Sequence, residues 1–356
     1  MSKKVLITGT LGQDGANMSE YLLETTDHEI YGMVRRSGTP NYHNIEAFRD
    51  NDRFHLVDGD LTDSASIDNL VKKIQPNYFI NFGANSFVGV SWEMPLQVFE
   101  TNTLGVIRSL EAIKKFKPDC RFYSAGSSEE FGDVDYSPQD AKHPLKARSP
   151  YGASKCAARL LTKVYRESFD LFAIQCWLFN HEGTRRGIEF VTRKISDGIA
   201  KIENAVKQGL DPVPIVLGNL DAERDWMDAE DAVRVIWQIL NLDTPREYVI
   251  GTGQTNSIRS FLDTGFKYIG MTDAQWTGTG LNEKFTWEGL DLVTVSKDFY
   301  RPAEVSSLKA DITEAEHELN WKPSTSFEQL VQKMVQNDID IHERKNLLNK
   351  ATCGNR

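Results

Sequence analysis

Short apolar runs alternate with longer amphipathic stretches through the first half of the chain. Val5-Leu6-Ile7-Thr8, Glu29 to Val34, Phe54 to Val57, Tyr78 to Phe82, Cys120 to Ser124 and Phe172 to Leu178 are rich in β-branched and aromatic residues and read as buried strands. Helix-length segments lie between them, at Gly15 to Glu24, Ser64 to Gln75, Pro95 to Phe116 and Ser149 to Ser168. Asp63-Ser64 and Ser149-Pro150 supply starting caps in the expected order. Strand–helix alternation of this kind predicts an α/β fold with a parallel, doubly wound sheet. The second half is less regular. It offers helices at Glu189 to Gln208, Asp228 to Leu240, Ile312 to Leu319 and Ser326 to Val335, with short strands at Pro214 to Leu217 and Tyr248 to Ile250. The polar tail after Ile341 reads as frayed.

Composition narrows the class. The 356 residues carry 41 Lys+Arg against 51 Asp+Glu, a net charge of −10, with 40% hydrophobic residues. That is an ordinary globular balance, long enough for one large or two fused domains. The acidic excess argues against a nucleic-acid partner but leaves room for a local basic pocket. The four cysteines, Cys120, Cys156, Cys176 and Cys353, form no paired motif, so neither a disulfide framework nor a metal site is expected. The first apolar run is five residues long, too short for a signal peptide or a membrane span, and a cytoplasmic chain is expected.

The first strand runs into Gly9-Thr10-Leu11-Gly12-Gln13-Asp14-Gly15, and a helix follows. Gly9 permits a tight turn, Gly12 lets backbone N–H groups approach a pyrophosphate, and Gly15 allows close helix–strand packing. Strand and helix stand on the sides that a dinucleotide site requires. The second strand ends in Arg35-Arg36-Ser37, where an acidic residue would accept from ribose hydroxyls. Two arginines suit a 2′-phosphate instead and favour NADP, the plain alternative being a solvated pair. Asp60-Leu61 ends the third strand, where a carboxylate can face an adenine amino group. Gly83-Ala84 ends the fourth, where small residues admit a cofactor.

Tyr151-Gly152-Ala153-Ser154-Lys155 places a phenol and an ammonium four residues apart, on one helix face. The ammonium lowers the phenol's pKa, so Tyr151 can take a proton from a sugar hydroxyl, and Lys155 can also hold a nicotinamide ribose. Upstream, Gly126-Ser127-Ser128-Glu129-Glu130-Phe131-Gly132 follows a strand end. If that turn is extended, the Ser127 hydroxyl and the Glu129 carboxylate enter one cleft.

Together these features resemble the extended short-chain dehydrogenase/reductase superfamily. Asn180-His181-Glu182-Gly183-Thr184-Arg185-Arg186-Gly187 with Phe190 to Ile195, Leu217 to Trp226, and Tyr300 to Val305 resemble, more narrowly, the NHExxRRG…FVTRKI, LGNLDAxRDW and YRPAEV blocks of GDP-mannose 4,6-dehydratases. The resemblance runs to about residue 337. It implies catalytic roles for Ser127, Glu129, Tyr151 and Lys155, with Ser127 at the family's threonine position. It implies cofactor contacts at Gly9, Gly12, Gln13, Asp14, Gly15, Asp60, Leu61, Gly83, Ala84, Tyr151, Lys155, His181 and Arg186, with Arg35 and Arg36 near a 2′-phosphate. It implies sugar-nucleotide contacts at Asn180, Lys194, Arg224, Arg301 and Glu304.

Implied with these are an NADP-binding Rossmann domain over 1–180 that also receives about 214–250, a discontinuous sugar-nucleotide lobe of mixed α/β structure over 181–341, and a frayed tail over 342–356. So are a GDP-sugar partner, a homodimer or homotetramer, and a place in GDP-fucose biosynthesis. The alternatives are a dehydratase or epimerase acting on another GDP-linked sugar, and a silent NADP-binding scaffold. Three departures from the family stand out. Its STSE is Gly126-Ser127-Ser128-Glu129 here, its QSHV is Asn85-Ser86-Phe87-Val88, and its serine-rich loop is Gly38 to His43.

Overall fold

The computed structural model describes residues 2–37, 41–299 and 307–353. The backbone divides into two compact units. The first comprises Met1–His181, Asp225–Gln254 and Leu308–Ser324, and the second Glu182–Arg224, Thr255–Ser307 and Thr325–Arg356. The return of 308–324 to the first unit was not expected from the sequence.

The first unit is built on a seven-stranded sheet. Its strands β1 (Lys4–Thr8), β2 (Glu29–Val34), β3 (Phe54–Asp58), β4 (Tyr78–Asn81), β5 (Arg121–Ala125) and β6 (Ala173–Leu178) lie in the order β3-β2-β1-β4-β5-β6, with Val249–Ile250 at the edge beside β6. Every neighbouring pair is parallel. The order reverses beside β1, the switch point at which such sheets take ligands.

Helices cover both faces. Val5 and Ile7 point into one layer, with Met18 and Leu22 of α1 (Gln13–Thr25) and Ile236 of the helix Ala229–Leu240. Leu6 points into the other, with Val71 of α2 (Ser64–Ile74) and Leu110 of a later helix. Both faces of β1 are therefore dry, which is why its sequence reads as an unbroken apolar run.

The expected helix from Pro95 to Phe116 is divided. α3 (Pro95–Phe99) passes through a π-helical turn at Glu100–Leu104 into α4 (Gly105–Phe116). The widened turn buries Asn102 and Thr103. Asn102 Nδ2 donates to Asn85 O at 3.2 Å and Ser154 Oγ at 3.1 Å, and Thr103 Oγ1 donates to Ser154 O at 2.9 Å. Such bulges are frequent beside functional sites.

The second unit has its own core. Helices Val191–Lys207, Ile258–Tyr268 and Phe327–Cys353 pack together, and a mixed four-stranded sheet runs Gln275–Thr277, Lys284–Trp287, Leu290–Val295 and Ile215–Leu217. The first three strands are antiparallel, and the last pair is parallel. The tail expected to fray from residue 342 is helical through Cys353. Leu330, Val331, Met334 and Val335 are buried, and two polar contacts extend the docking. His342 Nε2 lies 2.8 Å from Asp197 Oδ1, and Asn346 Nδ2 donates to Asn204 at 2.8 Å. No described helix is long and apolar enough to cross a membrane.

Candidate active site

β1 delivers Gly9 with φ +69°, a left-handed conformation that favours glycine. A Cβ on Gly9 would lie 2.8 Å from Gly83 N, and one on Gly15 only 2.3 Å from Gly9 O. The loop is thus closed by backbone against backbone. Gly12 precedes α1 and offers no side-chain cap, so the helix's first N–H groups are not satisfied by a side chain at that position. Gln13, Asp14 and His181 meet beside this loop. Gln13 Nε2 donates to His181 O at 3.0 Å and to Asp14 Oδ1 at 3.1 Å. His181 Nδ1 lies 2.8 Å from Phe179 O, and Nε2 lies 3.0 Å from Asp14 Oδ2. These links tie the start of α1 to the chain leaving β6.

Arg35 and Arg36 stand exposed at the end of β2 and line an open pocket of about 260 Å³ with Asp58, Gly59, Asp60 and Ser66. Neither arginine is in an ion pair among the described residues. Asp60 Oδ1 is held within its own turn, accepting from Thr62 N at 2.9 Å and Thr62 Oγ1 at 2.8 Å. Leu61 is buried behind Gly83, whose Cβ would sit 2.7 Å from Leu61 Cδ1. Ala84 is half-buried beside it. The donor set fits a dinucleotide: a glycine loop open to an anion, exposed cations at the second strand end, and small residues at the fourth.

The turn after β5 is not extended. Ser128–Glu130 is one turn of 3₁₀-helix, with Ser127 as its N-cap. Ser127 Oγ accepts from Glu129 N at 3.2 Å, while Glu130 Oε1 accepts from Ser127 N at 2.8 Å. This reciprocal Ser-x-x-Glu cap bends the chain and separates the tandem glutamates. Glu130 turns inward and is fully buried, and Glu129 is only half-buried.

α5 (Pro150–Phe169) starts beside that turn, with Ser149 Oγ accepting from Gly152 N at 3.0 Å. A Cβ on Gly152 would lie 2.6 Å from Glu129 O, so glycine brings the helix start, and Tyr151 with it, against the Glu129 turn. Lys155 Nζ lies 5.8 Å from the Tyr151 ring centroid and donates to Ala125 O at 2.7 Å. Burial lowers the Lys155 ammonium to about 8, opposed by the Glu130 and Asp14 carboxylates. Ser127, Glu129, Tyr151 and Lys155 are thus brought together at the carboxyl end of β5.

Other expected residues lie elsewhere. Asn180 is half-buried just after β6. In the second unit, Arg186 pairs with Glu182 at 2.9 Å and stacks 3.5 Å over Phe190. Lys194 Nζ donates to Val216 O at 2.7 Å, 3.7 Å from the Phe299 ring, and burial lowers its pKa. Arg224 Nη1 donates to Glu223 O at 2.7 Å. Arg301 and Glu304 lie outside the described residues, as do Gly38 to Pro40. The sequence reading overlooked Glu130 and the Asn102 clamp on Ser154. The Ser127-x-x-Glu130 spacing was a signal for the first. No group of three or more potential metal ligands occurs among the described residues.

A parallel sheet with a glycine loop at its switch point and a Tyr-Lys pair two strands away defines a Rossmann-type, dinucleotide-binding kind of fold. Solved structures share this fold. A dTDP-glucose 4,6-dehydratase from Bacillus anthracis in complex with NAD superposes with TM-score 0.76 at 19% identity, over 94% of this chain and 96% of that one. A UDP-glucose 4-epimerase from Thermotoga maritima with UDP-glucose gives 0.78 at 20%, over 97% and 99%.

Sequence relatives are more specific. The GDP-mannose 4,6 dehydratase family model matches residues 6–334. The GDP-mannose 4,6 dehydratase of Homo sapiens is 40% identical, over 94% of this chain and 91% of that protein. The GDP-mannose 4,6-dehydratase of Vibrio cholerae serotype O1 is 38% identical, over 98% and 97%. The chain belongs to the GDP-mannose 4,6-dehydratase family.

Proposed function

We propose that the chain converts GDP-mannose to GDP-4-keto-6-deoxymannose, with NADP held at the glycine loop. The observation that carries this is the convergence of Ser127, Glu129, Tyr151 and Lys155 at one strand end, in a chain of this family. When bound, the dinucleotide supplies a hydride acceptor for C4 and the same hydride's donor for C6. Tyr151 takes the C4 hydroxyl proton, with the Lys155 ammonium stabilising the phenolate. Ser127 hydrogen-bonds the reacting oxygen. Once C4 is a ketone, the C5 proton is acidic and Glu129 removes it. The C6 hydroxyl leaves as water, taking a proton from Glu129 with help from Ser127. Tyr151 gives back its proton, to C5 directly or by exchange with solvent, as hydride reaches C6. Atoms balance to the loss of one water, with no net change in the dinucleotide.

Arg35 and Arg36 favour NADP, because two exposed guanidiniums at the second strand end suit a phosphate dianion. Asn180, Lys194, Arg224, Arg301 and Glu304 are proposed contacts of the GDP-sugar. Arg186 is proposed as a cofactor contact, although Glu182 and Phe190 already engage it. The same reading carries a homodimer or homotetramer working in the cytoplasm. Incubation of GDP-mannose with NADP well below substrate concentration tests it. Product lacking water, in large excess over cofactor, is expected. Product limited to one equivalent of cofactor overturns it. The epimerase alternative is separated by Glu129→Gln, which on the dehydratase reading blocks water loss while C4 oxidation survives.

A further inference from the structure

Beneath the four catalytic residues lies a charged cluster that the reaction as written does not use. Glu130 is 0% exposed, Gln175 0% and Arg159 5%. Glu130 Oε2 accepts from Arg159 Nε at 2.5 Å. Its Oε1 accepts from Ser127 N at 2.8 Å and from Gln175 Nε2 at 3.1 Å. Gln175 Nε2 also donates to Lys155 O at 2.9 Å. Arg159 is one helical turn beyond Lys155, gives Nη1 to Gln175 O at 2.5 Å and lies 3.4 Å over the Trp177 ring. Glu247 closes the far side, 3.4 Å from Arg159 and 2.9 Å from Arg166.

A buried ion pair is poor ground for stability, since desolvation offsets much of the attraction. The directions of its bonds are more informative. One carboxylate holds the backbone of Ser127, the helix of Lys155 through Arg159, and the strand residue that fixes Lys155's carbonyl. Its charge also favours the protonated form of the Lys155 ammonium. The cluster bears on a departure from the family, too. A Cβ at Gly126 would lie 2.2 Å from Cys176 O, 2.8 Å from Glu130 Oε1 and 2.9 Å from Arg159 Nη2, so the family's serine has no room here.

We propose that Glu130 is a positioning residue for the reaction: through Arg159 and Gln175 it sets the Ser127–Glu129 turn against the Tyr151–Lys155 helix and charges the floor of the site. This rests on the dehydratase reading above. The charged and titratable groups around Glu130 and Lys155 are Arg159, Tyr151 and Cys156 on α5, Asp14 on α1, Cys176 on β6, Tyr123 on β5, and Glu247 with Arg166 behind. Glu130 bonds to both elements, through Ser127 N on the turn and through Arg159 on α5.

Glu130→Gln keeps an oxygen for Ser127 N and removes the charge. Its kcat for GDP-mannose should fall about 30-fold or more, with KM and bound NADP content unchanged, since a positioning loss appears in the transition state. Lys155, losing the stronger of the two carboxylate influences on its ammonium, should titrate lower by lysine ¹³C NMR, and the alkaline limb of kcat/KM should follow. If Glu130→Gln does not fold, the apolar pair Glu130→Met with Arg159→Met removes both charges at similar volume. It should fold and still lose kcat. A folded variant with kcat within about threefold of the parent and an unmoved Lys155 titration overturns the inference. A parent inert on GDP-mannose sinks the dehydratase reading alone, because the Lys155 titration still decides the role of Glu130.

Discussion

The end of β5, where catalysis is proposed, and the pocket at the end of β2 treat charge in opposite ways. At β5, Lys155 is 5% exposed, Glu130 is fully buried, and both are bonded to backbone and neighbouring side chains. At β2, Arg35 and Arg36 are exposed beside a pocket open to water. A buried ammonium is costly and is easily pushed toward neutrality, so its proton is sensitive to every nearby charge. An exposed guanidinium keeps its charge and waits for a partner. The first arrangement suits proton transfer. The second suits capture of a phosphate that arrives with its ligand.

The sharpest way to break this contrast is at the dry end. Tyr151→Phe removes the proton acceptor, and kcat should drop about 10³-fold, within the range for a positioned acid–base group, while NADP stays bound. Loss of NADP together with activity would place Tyr151 in binding instead.

Gly15→Ala comes next. Its methyl group would meet Gly9 O at 2.3 Å, backbone against side chain, with nothing flexible to yield. A destabilisation of about 2 kcal/mol or more is expected, with loss of bound dinucleotide, measurable by thermal unfolding and by released nucleotide.

The pH dependence has a sign that differs between activity and stability. Lys155 is lowered from 10.5 to about 8 by burial. Its ammonium is lost as pH rises through about 8, so kcat/KM should fall above that pH. The folded chain holds fewer protons at Lys155 than the unfolded chain between about 8 and 10.5, so that group's contribution to stability rises over the same interval. A pH–rate profile and denaturant melts at matched pH values check both signs.

The smallest effect belongs to the wet pocket. Arg35→Ala or Arg36→Ala should weaken NADP binding by about 10-fold each, as one charge-assisted contact is worth roughly 1.5–3 kcal/mol before screening. NAD binding should hardly change, and added salt should reduce the difference. Equal weakening of both dinucleotides would remove the arginines from the 2′-phosphate.

What was legible in the sequence is what depends on neighbours along the chain. The glycine loop needs three positions in seven, and Tyr151–Lys155 needs one turn of helix, so both could be read directly. The six main strands were also legible, β1, β4 and β6 most directly, because burial on both faces leaves no polar alternation to confuse them. The π-turn at Glu100–Leu104 was not, since what rotates Asn102 and Thr103 inward is a contact with Ser154, about fifty residues away. The Glu130 cluster was hidden for the same reason: its partners Arg159 and Gln175 lie 29 and 45 residues along the chain. The 3₁₀ turn that placed it was written in Ser127-x-x-Glu130, but a run of small and acidic residues reads equally well as an extended polar loop. The long final helix was missed because its second half is polar. It is held by partners such as Asp197 and Asn204, which no local pattern reveals.

The central claim is that one hydride leaves C4 and returns to C6 of the same sugar. GDP-mannose carrying deuterium at C4 tests this directly, with NADP present in catalytic amount. The account predicts a 4-keto-6-deoxy product with the deuterium retained at C6, and solvent hydrogen at C5. Deuterium lost to solvent or accumulating in free NADPH, with none at C6, would contradict it.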